Sequence, residues 1–263
     1  MKMRIVIPTR GRVGKQLTAQ SLPRELRRCT TIVCPKREVF GLTGAGMEDF
    51  EVIAQPDPEW KIYQKRVWIL QEFARLGYER ILMLDDDLRF STRISETDWH
   101  LKEIRGKDLI PEFERIDEKL GPEFPHVGFG QRQGNNQLEE VGWQSPGKMC
   151  YALGYYLPIV LEKCVLGRVE IREDMELSLQ LLLKGHPNAV WQTTVVDQRK
   201  YDAPGGASNE RSIELSNNEA KKLAAMYPAY VSTTERKYKA SVPRIEVIVQ
   251  WKKALTDGLR SPA

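Results

Sequence analysis

Apolar positions along the chain follow two rhythms. Short runs such as Arg4-Ile5-Val6-Ile7-Pro8, Thr31-Ile32-Val33-Cys34-Pro35, Glu51-Val52-Ile53-Ala54-Gln55 and Ile81-Leu82-Met83-Leu84 are bounded by prolines or acids and predict buried strands. Between the last two, Ile62, Val67, Ile69, Leu70, Phe73 and Ala74 recur at helical spacing, with Gly77 placed to cap the helix. Residues 15–28 predict a helix broken at Pro23. Strands alternating with helices in this order predict an α/β fold, with a Rossmann-like, mostly parallel sheet flanked by helices.

After Phe90 the pattern is less regular. A charged helix is expected over 108–120, a strand over His126–Gly130, and apolar returns to the core at Tyr151–Tyr156 and Ile159–Val165. Glu173 to Gly185 predicts a helix with acids in its first turn and glycine at its end. Val190–Val196 predicts a strand, 197–212 a Gly-rich polar loop, and 216–226 and 245–256 two helices.

Composition narrows the class. Of 263 residues, 41% are hydrophobic and 29% charged, as in an ordinary soluble domain. No apolar run approaches the roughly 18 residues needed to span a bilayer, and the first strand begins too early for a signal peptide. These features predict a cytoplasmic protein without a membrane partner. Cys29, Cys34, Cys150 and Cys164 form no metal-binding spacing, so reduced thiols are expected. The net charge of +4 conceals an asymmetry: residues 1–38 carry +8 and 221–263 carry +6, around a centre of −10. Two basic ends suit a protein that handles polyanions such as nucleotide diphosphates or nucleic acid.

The candidate chemistry starts at Asp85-Asp86-Asp87, at the end of an apolar strand. Buried unpaired carboxylates are costly and adjacent ones repel. If strand geometry continued, Asp85 and Asp87 would share a side and reach one Mn²⁺ or Mg²⁺; an acidic turn is the plainer alternative. The loop Pro8-Thr9-Arg10-Gly11-Arg12 offers two guanidiniums, a hydroxyl and a glycine, which suits phosphate or base contacts or else an exposed basic turn. It is neither a P-loop nor a GxGxxG fingerprint, which removes the main support for an ATPase or a dehydrogenase. Arg66 could balance the carboxylates or hold a diphosphate. Glu173-Asp174 opens a helix, where acids either answer the dipole or supply a general base. Asp197 could complete a metal shell, and Gly205 and Gly206 could let the backbone close over a ligand. His100, His126 and His186 show no triad spacing and read as surface or capping residues.

In this order, Asp85-Asp86-Asp87 resembles the DxD motif and Arg172-Glu173-Asp174 the xED motif of a GT-A glycosyltransferase. A narrower resemblance rests on Ile7 to Arg12, Leu84 to Phe90, Val127 to Asn136 with its GQRQGNN run, Glu173 to Leu177, and Gly205 to Ser208. These segments look like the TET-associated glycosyltransferases, GT-A enzymes of bacteriophages linked to sugar addition on 5-hydroxymethylpyrimidines in phage DNA.

The resemblance implies a GT-A domain over 1–230, with a donor half at 1–90 and an acceptor half at 91–230. A basic helical extension would follow at 231–263. Pro8, Thr9, Arg10, Arg12 and Arg66 would hold the nucleotide of a donor, expected to be a UDP-sugar, with Asp86 near its ribose or sugar. Asp85, Asp87 and Asp197 would hold Mn²⁺ or Mg²⁺. Asp174 or Glu173 would accept the acceptor's proton. Gln131, Arg132, Asn135, Asn136, Gly205 and Gly206 would contact sugar or acceptor base, and Arg236, Lys237 and Lys239 the DNA backbone. The favoured acceptor is 5-hydroxymethylcytosine in phage DNA, inside the infected host's cytoplasm. A glycan, protein or small-molecule acceptor, or a non-catalytic DNA- or nucleotide-binding module, are the alternatives.

Overall fold

The computed structural model describes residues 1–44, 46–57, 59–95, 100–132, 141–198, 212–236 and 243–260. Its strands are β1 (Arg4–Pro8), β2 (Thr30–Pro35), β3 (Glu51–Gln55), β4 (Arg80–Leu84), β5 (Leu88–Arg93), β6 (Leu101–Ile104), β7 (His126–Gln131), β8 (Trp143–Gln144), β9 (Ala152–Tyr156), β10 (Asn188–Gln198), β11 (Val231–Arg236) and β12 (Arg244–Val249). Its helices are α1 (Leu17–Ser21), α2 (Arg24–Arg27), α3 (Val39–Thr43), α4 (Ile62–Arg75), α5 (Ile110–Lys119), α6 (Leu157–Lys163), α7 (Glu173–Leu183), α8 (Ile213–Met226) and α9 (Trp251–Arg260).

The fold is α/β around one large sheet, ordered β3-β2-β1-β4-β9-β7-β10-β5-β6, with β8 added on β10. The first four strands in that order run parallel, as the alternating pattern predicts. β7 and β10 are also parallel, while β9, β5, β6 and β8 pair antiparallel. Alternation along β1 and β4 builds two cores. Ile5, Ile7, Leu82 and Leu84 pack with Leu22, Leu26, Phe113 and Ile116 on one face. Val6, Ile81 and Met83 pack with Ile69, Phe73, Val160 and Leu181 on the other. Helices on both faces explain why these strands read as unbroken apolar runs.

A third apolar cluster joins Leu179 and Leu182 of α7 to Leu223 of α8, Val231 of β11 and Ala254 of α9. The helix expected over 245–256 is therefore half strand: β12 covers Arg244–Val249, and α9 starts at Trp251. Ile245, Val247 and Val249 recur with period two, the strand rhythm, and pair with β11 in a hairpin. The basic extension is thus a hairpin followed by a helix. No described helix is long and apolar enough to cross a membrane. All four cysteines are free.

Candidate active site

The chemistry gathers at one edge of the sheet, where β1, β4, β7 and β10 end and β9 begins. Ligand crevices in open α/β sheets lie beyond the carboxyl ends of the strands. The chain does not continue as a strand after Leu84; Asp85, Asp86 and Asp87 turn sharply into β5. Thr18 clamps that turn. Its hydroxyl donates to the Asp85 carbonyl and accepts from the Leu88 amide at 2.8 Å, while its own amide donates to the Asp86 carbonyl at 3.2 Å. Because the backbone turns, strand alternation does not apply here: Asp85 meets one arginine, while Asp86 and Asp87 share another.

Arg12 holds Asp86 at 2.6 Å and Asp87 at 2.7 Å. Arg66 holds Asp85 with one terminal nitrogen and Glu173 with the other. The second oxygen of Asp85 accepts from the Gln198 side chain at 2.9 Å. Burial alone would lower the pKa of both arginines, but the carboxylates they hold outweigh it and keep them charged. Burial pushes Asp86 up to about 6, against the Thr9 hydroxyl and Arg12, and also raises Asp87.

The loop after β1 is locked from within. Gly11 takes φ +69°, a conformation open to glycine, and its amide donates to the Glu38 carboxylate at 3.0 Å. Gln16, fully buried, donates to the Thr9 hydroxyl oxygen at 2.7 Å and to the Arg12 carbonyl at 3.1 Å. Lys65 is 2% exposed, donates to the Thr9 carbonyl at 2.7 Å, and is pushed down to about 8 by burial. Arg10 reaches Glu59 at 3.4 Å. Cations expected to face a ligand therefore already face protein carboxylates, so the loop is a neutralised frame rather than an open phosphate cradle.

Glu173 and Asp174 begin α7, and Arg172 before them adopts φ +71°. Asp174 accepts from the Met175 amide at 2.8 Å. Burial, then Glu173, raises its pKa, with Arg66, the Met175 amide and Lys148 pulling the other way. Asp174 also borders Cys150, whose thiol burial pushes far up. Tyr151, at φ +69°, accepts from the Asp85 amide with its carbonyl at 2.9 Å and from the Gln131 side chain with its hydroxyl at 3.3 Å. Two non-glycine residues in the left-handed region flank the same acidic cluster, and such strain concentrates at functional sites.

Other expected residues lie apart or beyond description. Asp197 pairs with Arg89 at 3.1 Å and Arg132 at 3.4 Å, while its neighbour Gln198 turns toward Asp85. Alternation along β10 puts Asp197 on the opposite face, so the structure does not bring it to the triplet. Asn135, Asn136, Gly205, Gly206, Lys237 and Lys239 lie outside the described residues. Arg236 ends β11, directly across from Arg244. His126 is not a surface histidine: it is fully buried, bonds the Gly154 carbonyl at 2.8 Å, stacks on Tyr155, and is held down to about 4 by burial. Gln16, Thr18, Glu38, Tyr151 and Gln198 escaped sequence reasoning.

As a test of metal fit, Asp87 Oδ1 is buried with no hydrogen-bond partner among the described residues. An orphaned carboxylate oxygen suits a hard divalent cation. No group of three or more His, Cys, Asp or Glu that could hold a metal occurs among the described residues. Among the described residues the site thus offers one unpartnered carboxylate oxygen and no self-sufficient protein cage.

The model of one family, TET-Associated Glycosyltransferase, matches residues 3–206. No curated protein matches the chain. Among solved structures, mannose-1-phosphate geranyltransferase from Thermus thermophilus is 12% identical, with 62% of this chain and 60% of that one covered at a TM-score of 0.40. A197 from STIV is also 12% identical, over 75% of this chain and 86% of that one, at 0.41. A glycosyltransferase involved in glycosylating the major capsid of PBCV-1 is 13% identical over 68% and 66%, at 0.26. Likenesses this distant bear on neither substrate nor mechanism.

Proposed function

The chain belongs to the TET-associated glycosyltransferase family, and from that premise we propose that it moves a sugar from a nucleotide-sugar, UDP-linked by preference, to the hydroxymethyl group of 5-hydroxymethylcytosine in DNA. The observation that carries this reading is Arg66. One buried guanidinium joins Asp85 of the triplet to Glu173 of the acidic pair, 107 residues from Arg66 along the chain. The triplet and the acidic pair then lie within one side chain of each other, the proximity that transfer between two substrates requires.

In this reading Asp174 takes the proton from the acceptor hydroxyl as its oxygen attacks the anomeric carbon, and the bond to the nucleoside diphosphate breaks with its electron pair leaving on the diphosphate. The raised pKa of Asp174 makes it a stronger base than an ordinary carboxylate. Glu173, tied to Arg66, orients the helix head. Asp85 and Asp87 would hold Mn²⁺ or Mg²⁺, which when bound neutralises charge on the departing diphosphate. Thr9, Arg10 and Arg12 frame the nucleotide, with Asp86 beside its sugar. Gln131, bonded to Tyr151, would contact the acceptor.

The DNA acceptor draws support from the hairpin. Arg236 and Arg244 are register partners at this end of the strand pair, two guanidiniums of the kind that bind phosphate, with Glu235 and Glu246 close by. The test is incubation with 5-hydroxymethylcytosine DNA and a panel of UDP-sugars with Mn²⁺, followed by digestion to nucleosides and mass spectrometry. A glycosylated nucleoside is expected with at least one donor. No new nucleoside with any donor, alongside transfer to a glycan or protein acceptor, would move the acceptor to the alternative class.

A further inference from the structure

We propose that Arg172 is a positioning residue that couples the hairpin β11–β12 to the acidic pair at the head of α7, an inference that rests on the DNA acceptor reading above. Three observations converge on this one side chain. Its backbone holds φ +71°, which glycine takes freely and arginine does not. A purely structural turn would be better served by glycine, so the guanidinium contacts are what compensate for the strain.

Those contacts reach the C-terminal part of the fold. One terminal nitrogen donates to the Ser216 carbonyl on α8 at 2.8 Å. The other donates to the Ser216 hydroxyl at 3.4 Å and to the Ile245 carbonyl on β12 at 3.2 Å. Asn217 clamps the same junction: its side chain donates to the Pro243 carbonyl at 3.0 Å and accepts from the Ile245 amide at 2.8 Å. Ile245 pairs with Glu235, next to the facing arginines Arg236 and Arg244.

The backbone of Arg172 meanwhile starts α7. Its carbonyl accepts from the Glu176 amide at 3.0 Å, and the next residues are Glu173, tied to Arg66, and Asp174. An anion drawn to Arg236 and Arg244 therefore acts on the strand that Arg172 grips, and the grip sets the aim of the two carboxylates. The physical coupling is a chain of hydrogen bonds through one strained backbone position, and such a contiguous network can carry linkage between two sites. Binding of the nucleic acid then fixes the carboxylates in their working geometry.

The experiment is hydrogen exchange of the full chain with and without unmodified duplex DNA and no donor, on wild type, Arg172→Gly and Arg236→Glu. Glycine keeps the left-handed turn and removes only the guanidinium, so R172G remains folded, and a melting curve checks it. Wild type should show slower exchange at the Met175 and Glu176 amides on DNA binding. R172G should bind DNA within about twofold of wild type yet show no slowing, and R236E should bind more weakly. In transfer assays R172G should lose about 10- to 100-fold in kcat with KM for DNA unchanged, and Arg172→Lys should restore part of it. Equal slowing in R172G, or no slowing in a wild type that does bind DNA, overturns the coupling and leaves the DNA reading standing. Failure of the wild type to bind DNA at all overturns both.

Discussion

Arg66 is 9% exposed and holds Asp85 and Glu173 at once. Removing it leaves two carboxylates facing each other in a poorly hydrated space. Breaking a buried pair from one side typically costs about 3–5 kcal/mol, so Arg66→Met should lose that much unfolding free energy in urea. Arg66→Lys should recover only part, because an ammonium cannot reach two carboxylates in the planar geometry of a guanidinium. A loss below about 1 kcal/mol for methionine would mean that the carboxylates have found other counter-charges. If Asp174 is the base proposed above, it sets the pH dependence. It accepts a proton only when ionised, and burial with Glu173 raises its pKa, so activity should fall as pH drops through a value above the ordinary carboxylate figure of about 4. Asp174→Asn should lower kcat by about 10²- to 10⁴-fold and abolish that acid limb, with donor binding measured by calorimetry retained. An acid limb that survives in the variant assigns the proton to another group. The sequence singles out the triplet, Arg66 and the acidic pair, which the fold brings together, because charged residues there stand in short adjacent groups. Thr18, Gln16 and Gln198 are not singled out, since an isolated Thr or Gln becomes a clamp only through partners brought together by the fold.

At the level of elements, the N-terminal strands and α4 were readable because both faces of the sheet are covered, which leaves unbroken apolar runs. β6 and β11 were not, since they carry charged or hydroxyl residues on faces that water reaches, and β5 was not because polar residues, Ser91 and Arg93, are buried in it and interrupt the apolar run. β12 was misread because a short alternating run followed at once by a helix mimics one longer helix. The helix α9 ties this C-terminal unit to the rest of the fold through Gly258, which lies against the end of α7. A Cβ built there would stand 2.1 Å from the Leu182 carbonyl oxygen and 2.8 Å from the Gly185 amide nitrogen. Both are backbone atoms, so no side-chain rotation relieves the contact. Gly258→Ala should force α9 off α7 and cost about 1–3 kcal/mol, read as a lower melting temperature together with faster proteolysis near residue 250. Unchanged melting and cleavage would show that the two helices slide apart without cost.

Across the whole molecule, the small net charge is the sum of two basic ends and an acidic middle, and the folded chain uses these charges in different ways. Arg12 and Arg66, from the first third of the chain, are consumed inside the site by Asp85, Asp86, Asp87 and Glu173. Arg236, by contrast, is exposed at the end of a hairpin and lies across from another arginine. Of these two arrangements, the second leaves positive charge on the surface. If the hairpin contacts phosphates, the logarithm of DNA affinity should fall linearly with the logarithm of salt, with a slope near about −0.9 for each phosphate neutralised. Arg236→Glu should make that slope shallower by about 1 to 2 and weaken binding equally on any duplex sequence, since phosphate contacts carry no base information. Donor binding should not change, because Arg236 lies on the hairpin and not among the residues that frame the triplet. A slope identical to wild type would place the DNA on another surface, whereas a parallel loss of donor binding would mean that the hairpin supports the site's structure and not its acceptor.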